Sequence, residues 1–121
     1  MSMMTFRSPR NSSEPRDLFP GALELMVLQL LHWQPMHGYA LVQHIQQRSN
    51  DLLQVEEGSL YPALQRMLKS GLVKAEWTIS ATNRRVRTYS VTARGLKHLE
   101  QERERFEQML QGISLVLSPN V

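Results

Sequence analysis

Residues 55–77, VEEGSLYPALQRMLKSGLVKAEW, change their period half-way along. Leu60, Leu64, Met67 and Leu68 recur at helical spacing. Beyond Gly71 the pattern alternates, with Leu72, Lys74, Glu76 and Thr78 on one side and Val73, Ala75, Trp77 and Ile79 on the other, as in a half-exposed strand. Gly71 sits where a helix would end on a left-handed residue. The difficulty is Pro62. With Ser59 as N-cap, Pro62 is the third helical residue, where a missing N–H has no intrahelical acceptor to disappoint. The core stripe through Leu60, Leu64 and Leu68 then leaves Ser59, Tyr61, Pro62, Gln65, Arg66 and Lys69 pointing outward.

Working back towards the N-terminus, PGALELMVLQLLHW (20–33) carries apolar residues at 23, 26, 27, 30 and 31, a helical stripe with Pro20 near its start. Pro35 ends it. GYALVQHIQQRSN (38–50) repeats the pattern at Leu41, Val42 and Ile45 before fading into polar residues. Residues 1–17 hold Ser, Asn, Pro and Arg with few large apolar side chains, and predict a mobile arm. Trp33 is expected to pack in the core, with the floor of an apolar pocket as the other role open to it.

Towards the C-terminus, ATNRR (81–85) reads as a turn and VRTYSV (86–91) alternates again. Two short strands with a basic tip make a wing. Thr92 caps a final helix in which Leu96, Leu99, Arg103, Phe106, Leu110, Ile113 and Leu117 fall at 3-4 spacing, a heptad seam suited to a partner helix. Gly112 weakens that helix by roughly 1 kcal/mol and predicts fraying of its last turn, before Ser118 and Pro119 stop it. The fold class that follows is mainly α with a small β-hairpin. A winged helix-turn-helix spans 18–92 and a dimerisation helix 93–117.

Composition narrows the function. The chain has 121 residues, enough for one domain, with 41% hydrophobic and 21% charged residues. Its longest apolar run is broken by Glu24 and Gln29 and is too short to span a bilayer. The N-terminal stretch lacks the apolar core of a secretory signal, so a cytoplasmic protein without membrane contact is expected. With no cysteine there is no disulfide framework and no thiolate metal site. The histidines 32, 37, 44 and 98 do not make a ligand set. Glu56 and Glu57 are neighbours that point opposite ways when extended, so they cannot share a proton. No catalytic residue, metal or cofactor is expected, and no enzyme.

Charge is more telling. Between residues 58 and 97 eight Lys and Arg face the single acid Glu76, a net +7, while the rest of the chain is net acidic. A basic segment of this kind suits a polyanion. A major groove admits one helix, so the outward face of the third helix is the element to place there. Arg84, Arg85, Arg87 and Lys74 then suit phosphates or the minor groove, giving affinity and salt dependence. Base contacts fall first to Ser59 and Tyr61 in the opening turn, then to Gln65 and Arg66. Tyr39 lies beside the first amides of the second helix, a favourable place for a phosphate. The alternative is a winged helix that binds only protein, but such a module has no need of NRRVR (83–87) at its tip.

MHGYAL (36–41), VEEGSLYPALQRMLKSGLV (55–73), NRRVRTYSVTARG (83–95) and the closing helix together resemble the PadR family of bacterial transcriptional regulators, over roughly residues 19–117. The resemblance implies a cytoplasmic homodimer, usually a repressor, that binds a palindromic double-stranded operator through the third helix and the wing. Some members respond to small-molecule effectors held near the dimer interface. Tyr39, Ser59, Tyr61 and Pro62 match positions that the family places at DNA, and Arg84, Arg85 and Arg87 match its wing contacts. A single closing helix is similar to the short subfamily, in which helices one and four build the dimer.

Overall fold

The change of period at Gly71 is where a helix hands over to a strand in the computed structural model, which describes residues 21–119. The predicted arm over 1–17 and Pro20 lie outside the described residues. In chain order the elements are α1 (Ala22–Trp33), β1 (Met36–His37), α2 (Gly38–Arg48), α3 (Glu57–Lys69), β2 (Val73–Ile79), β3 (Arg85–Val91) and α4 (Ala93–Val116). Helix α3 closes with Gly71 at φ 78°; the Gly71 N–H donates to the Leu68 carbonyl at 3.1 Å and the Leu72 N–H to that of Met67 at 2.9 Å. This paired motif turns the chain sharply into β2.

The start of α3 departs from expectation. Its cap is Glu56, extended at φ −86° and ψ 150°, and no side chain completes it. The amides of Ser59 and Leu60 both donate to the Glu56 carbonyl at 3.0 Å. Ser59 is therefore not the N-cap but the third helical residue. Pro62 lies one turn inside the helix, where its ring nitrogen leaves the Gly58 carbonyl without its helical donor. Gly58 is exposed, so water can serve that oxygen in place of the chain.

The sheet is antiparallel in the order β1-β3-β2. Strand β1, unforeseen because two residues carry no period, pairs Met36 with Tyr89 and His37 with Thr88. His37 also caps α2, its Nδ1 accepting from the Ala40 N–H at 3.3 Å. Val27 and Leu28 from α1, Leu41 from α2, and Leu60, Leu64 and Met67 from α3 are sealed from solvent. At about 1.5–3 kcal/mol for each fully buried large apolar side chain, this three-helix centre dominates the stability.

Helix α4 starts as expected. The Thr92 hydroxyl oxygen accepts from the Gly95 N–H at 3.0 Å, and the hydroxyl donates to the Gly71 carbonyl at 2.6 Å. One side chain thus ties the end of α3 to the start of α4. Gly95 leaves no room for a side chain, since a Cβ there would overlap the Leu72 carbonyl oxygen. Three further expectations fail. Trp33 is 51% exposed, because the last turn of α1 ends at the rim of a groove, where the Arg48 guanidinium covers the indole at 4.2 Å. Leu99 is only 6% exposed, packed in its own core and not held for a partner. Nor does Gly112 fray α4, which runs on to Val116.

Candidate nucleic-acid interface

A helix turns by about 100° per residue, so the residues of α3 divide cleanly around its axis. Leu60, Ala63, Leu64 and Met67 face the core. Gly58, Pro62, Gln65 and Lys69 run down the middle of the opposite, exposed face. Tyr61 lies on one flank, while Ser59 and Arg66 share the other.

Tyr61 remains 40% exposed, yet its ring also rests on α2. A Cβ at Gly38 would come within 2.6 Å of the Tyr61 hydroxyl oxygen and 2.8 Å of the ring. Gly38 is therefore the recess that lets the tyrosine lie down between the two helix starts. Burial, the neighbouring Glu57 carboxylate and Tyr89 together raise the Tyr61 phenol above its ordinary range. It thus stays protonated, and a hydrogen-bond donor, well past neutral pH. Tyr39, the second residue of α2, is exposed next to this contact. The two tyrosines, far apart in sequence, share one corner of the surface.

Arg66 is held elsewhere. Its guanidinium pairs with Glu24 of α1 at 3.3 Å, on the flank away from Tyr61. Ser59, on that same flank, is half-buried. The outward residues expected to meet DNA are therefore split, with Pro62, Gln65 and Lys69 on the open face, Tyr61 on one flank, and Ser59 and Arg66 on the other, where Arg66 is drawn towards α1.

Register sorts the wing. Trp77 pairs with Arg87 and Ile79 with Arg85, which puts all four on one face of the hairpin. Lys74 pairs with Ser90 and Glu76 with Thr88, on the other face. Lys74 therefore does not join Arg85 and Arg87, although all three belong to one basic segment. On the Lys74 face the Thr78 and Thr88 hydroxyls meet at 2.7 Å. The tip is ordered by Ser80, whose N–H donates to the Arg84 carbonyl at 2.8 Å and whose Oγ accepts from the Arg84 N–H at 3.2 Å. Asn83 takes the positive φ, 63°, that the turn requires. The residue missed from sequence is Trp77, which is 57% exposed with both wing guanidiniums over its ring, Arg85 at 4.7 Å and Arg87 at 5.7 Å. Strand parity held the signal, since 77, 85 and 87 share a face once the pairing is known.

Along α4 the expected seam divides. Leu99 belongs to the core, and Arg103 reaches Gln29 of α1 at 3.4 Å and Glu107 at 3.3 Å. Phe106, Leu110 and Ile113 are half-buried, while Leu96 and Leu117 are exposed. Beside its first turns a groove of about 440 Å³ is lined by Leu25, Met26, Trp33, Ile45, Arg48 and Arg103, among others. Among the described residues no His, Cys, Asp or Glu group could hold a metal ion, and no helix is long and apolar enough to cross a membrane.

A sequence model described as the transcriptional regulator PadR-like family matches residues 27–101. The chain belongs to this family. Among solved structures, a transcriptional regulator from Clostridium thermocellum is similar at 26% identity, over 81% of this chain and 92% of that one, with a TM-score of 0.74. A PadR-like transcriptional regulator from Bacillus cereus matches at 26% identity, over 83% and 95% of the two chains, with a TM-score of 0.71. A PadR family regulator from Eggerthella lenta matches at 28%, over 83% and 85%, with a TM-score of 0.69. An uncharacterized protein of Lysinibacillus sphaericus is 27% identical over 85 residues, 70% of this chain and 78% of its own. The four helices and small three-stranded sheet of the described residues are thus a PadR winged helix-turn-helix, a fold that supports a DNA-binding regulator.

Proposed function

We propose that this PadR-like chain is a repressor that binds an inverted-repeat operator in double-stranded DNA as a homodimer. The observation that carries the proposal is an exposed face of α3 bearing Pro62, Gln65 and Lys69, with Tyr61 on its flank, in a chain whose hairpin also bears exposed Arg84, Arg85 and Arg87. Helix α3 enters the major groove with Tyr61, Pro62, Gln65 and Lys69 leading. Tyr39 and the first amides of α2 take a phosphate beside it. Arg84, Arg85 and Arg87 lie against phosphates or the minor groove and supply affinity without reading sequence. Lys74, on the wing's other face, adds to the local field only. Ser59 and Arg66 contribute from the flank. An exposed ion pair such as Arg66–Glu24 is worth about 0–1 kcal/mol, so Arg66 can exchange it for a base or a phosphate.

The dimer is built by α4 with α1, and an effector would bind in the groove at Trp33, beside both. Repression needs no further chemistry, because a dimer seated on a promoter excludes other proteins from it. Selection from a random duplex pool tests the proposal. The expected product is an inverted repeat with half-sites about one helical turn apart. Replacing Arg84 and Arg85 by alanine should lower the salt slope of binding by about one unit per lost phosphate contact. No enrichment, together with an affinity indifferent to salt, would leave the protein-binding winged helix as the better account.

A further inference from the structure

We propose that Trp77 is a positioning residue of the wing, an exposed indole platform that holds Arg85 and Arg87 ready for the phosphates of a bound duplex. The inference rests on the DNA-binding function proposed above.

The sheet face that bears Trp77 begins in the core, with Val73 and Tyr89 buried and Ala75 half-buried. It then runs out past the body, so that Trp77 and Ile79 stand largely in solvent. Single exposed apolar side chains are ordinary. What sets Trp77 apart is its company. Arg87 sits directly opposite on β3 and Arg85 on the diagonal, and both guanidiniums lie over the ring.

A guanidinium stacked on an indole keeps its full charge and its in-plane N–H donors, while its long side chain loses much of its freedom before any ligand arrives. Ordering that would otherwise oppose binding is thereby already done. The same face carries no acid. Its other residues are Val73, Ala75, Ile79, Tyr89 and Val91, and the only acid in β2, Glu76, is on the opposite side. Two aligned cations with no counter-charge on their own surface are complementary to a polyanion. Held on one face of the hairpin, they can meet phosphates together, with the exposed Ile79 beside them.

The test uses the full chain with Trp33→Phe, which leaves Trp77 as the only tryptophan of the two. A short duplex of random sequence is titrated while indole emission, affinity and thermal melting are followed, with Trp77→Ala, Trp77→Leu and Trp77→Phe compared. Expected are a change in Trp77 emission on binding and an affinity lowered about tenfold by alanine and by leucine alike. Phenylalanine should restore most of the loss, and all variants should melt alike because the side chain is exposed. If the leucine variant binds as tightly as the phenylalanine one, or saturating duplex leaves the emission unmoved, the platform is refuted while DNA binding stands. If the unsubstituted chain fails to bind duplex with salt-dependent affinity, the proposed function fails and takes the platform with it.

Discussion

Tyr61 and Gly38 illustrate how much of a binding surface is decided by a contact between two residues distant in sequence. Each stood out in its own motif, GYAL and SLYP, but no period in the chain links them, so the contact was not legible in sequence. The recess at Gly38 fixes where the Tyr61 ring lies, and hence what its hydroxyl can reach. Tyr61→Ala should weaken duplex binding about tenfold, the loss expected for an anchoring aromatic, with little change in melting temperature. Gly38→Ala should also weaken binding, by displacing the ring, although alanine favours the helix by up to about 1 kcal/mol. The two losses should not add. In a Tyr61→Ala background Gly38→Ala should cost nothing further, and duplex titration of the four proteins in a double-mutant cycle checks it. Additive losses would mean that Gly38 acts through something other than the ring.

At the scale of elements, the helical stripes and both long strands were legible because their periods run over many residues. Boundaries were not. Ser59 looks like the cap of α3 because its side chain is the best capping group nearby, yet the backbone of Glu56 starts the helix without side-chain help. Faces of the wing were legible only up to parity. Alternation separates Trp77 from Lys74, but only the register of β3 shows which of them Arg85 and Arg87 join. The early start of α3 puts Gly58 inside the helix, on its open face, with nothing within 4 Å of the place a Cβ would take. Gly58→Ala should therefore stabilise the protein by about 0.5–1 kcal/mol, measurable by denaturant unfolding. If this face approaches DNA closely, the same methyl should lower duplex affinity. A variant that is more stable and binds as well as before would place the DNA contact further along α3.

For the whole molecule the question is what α4 is for. It has 24 residues, about 36 Å at 1.5 Å per residue, yet only Gly95 and Leu99 are buried along it. Of the seam, Leu99 is consumed by the chain's own core, a division that 3-4 spacing cannot reveal because both uses demand the same pattern. Further along, Phe106, Leu110 and Ile113 are half-buried and Leu117 is exposed on the seam side, while the exposed Leu115 and Val116 turn away from it. A seam that its own chain leaves partly open suits the partner helix proposed above, and each large side chain covered there would contribute about 1.5–3 kcal/mol. Leu110→Glu would put a charge in the middle of that surface without touching the core of the protomer. Sedimentation should show this variant as a monomer, folded by circular dichroism, that has lost cooperative binding to paired half-sites. Gln111→Glu, exposed and off the seam, should remain a dimer. If Leu110→Glu also sediments as a dimer, the two copies meet through a different surface, and α4 must be assigned another partner.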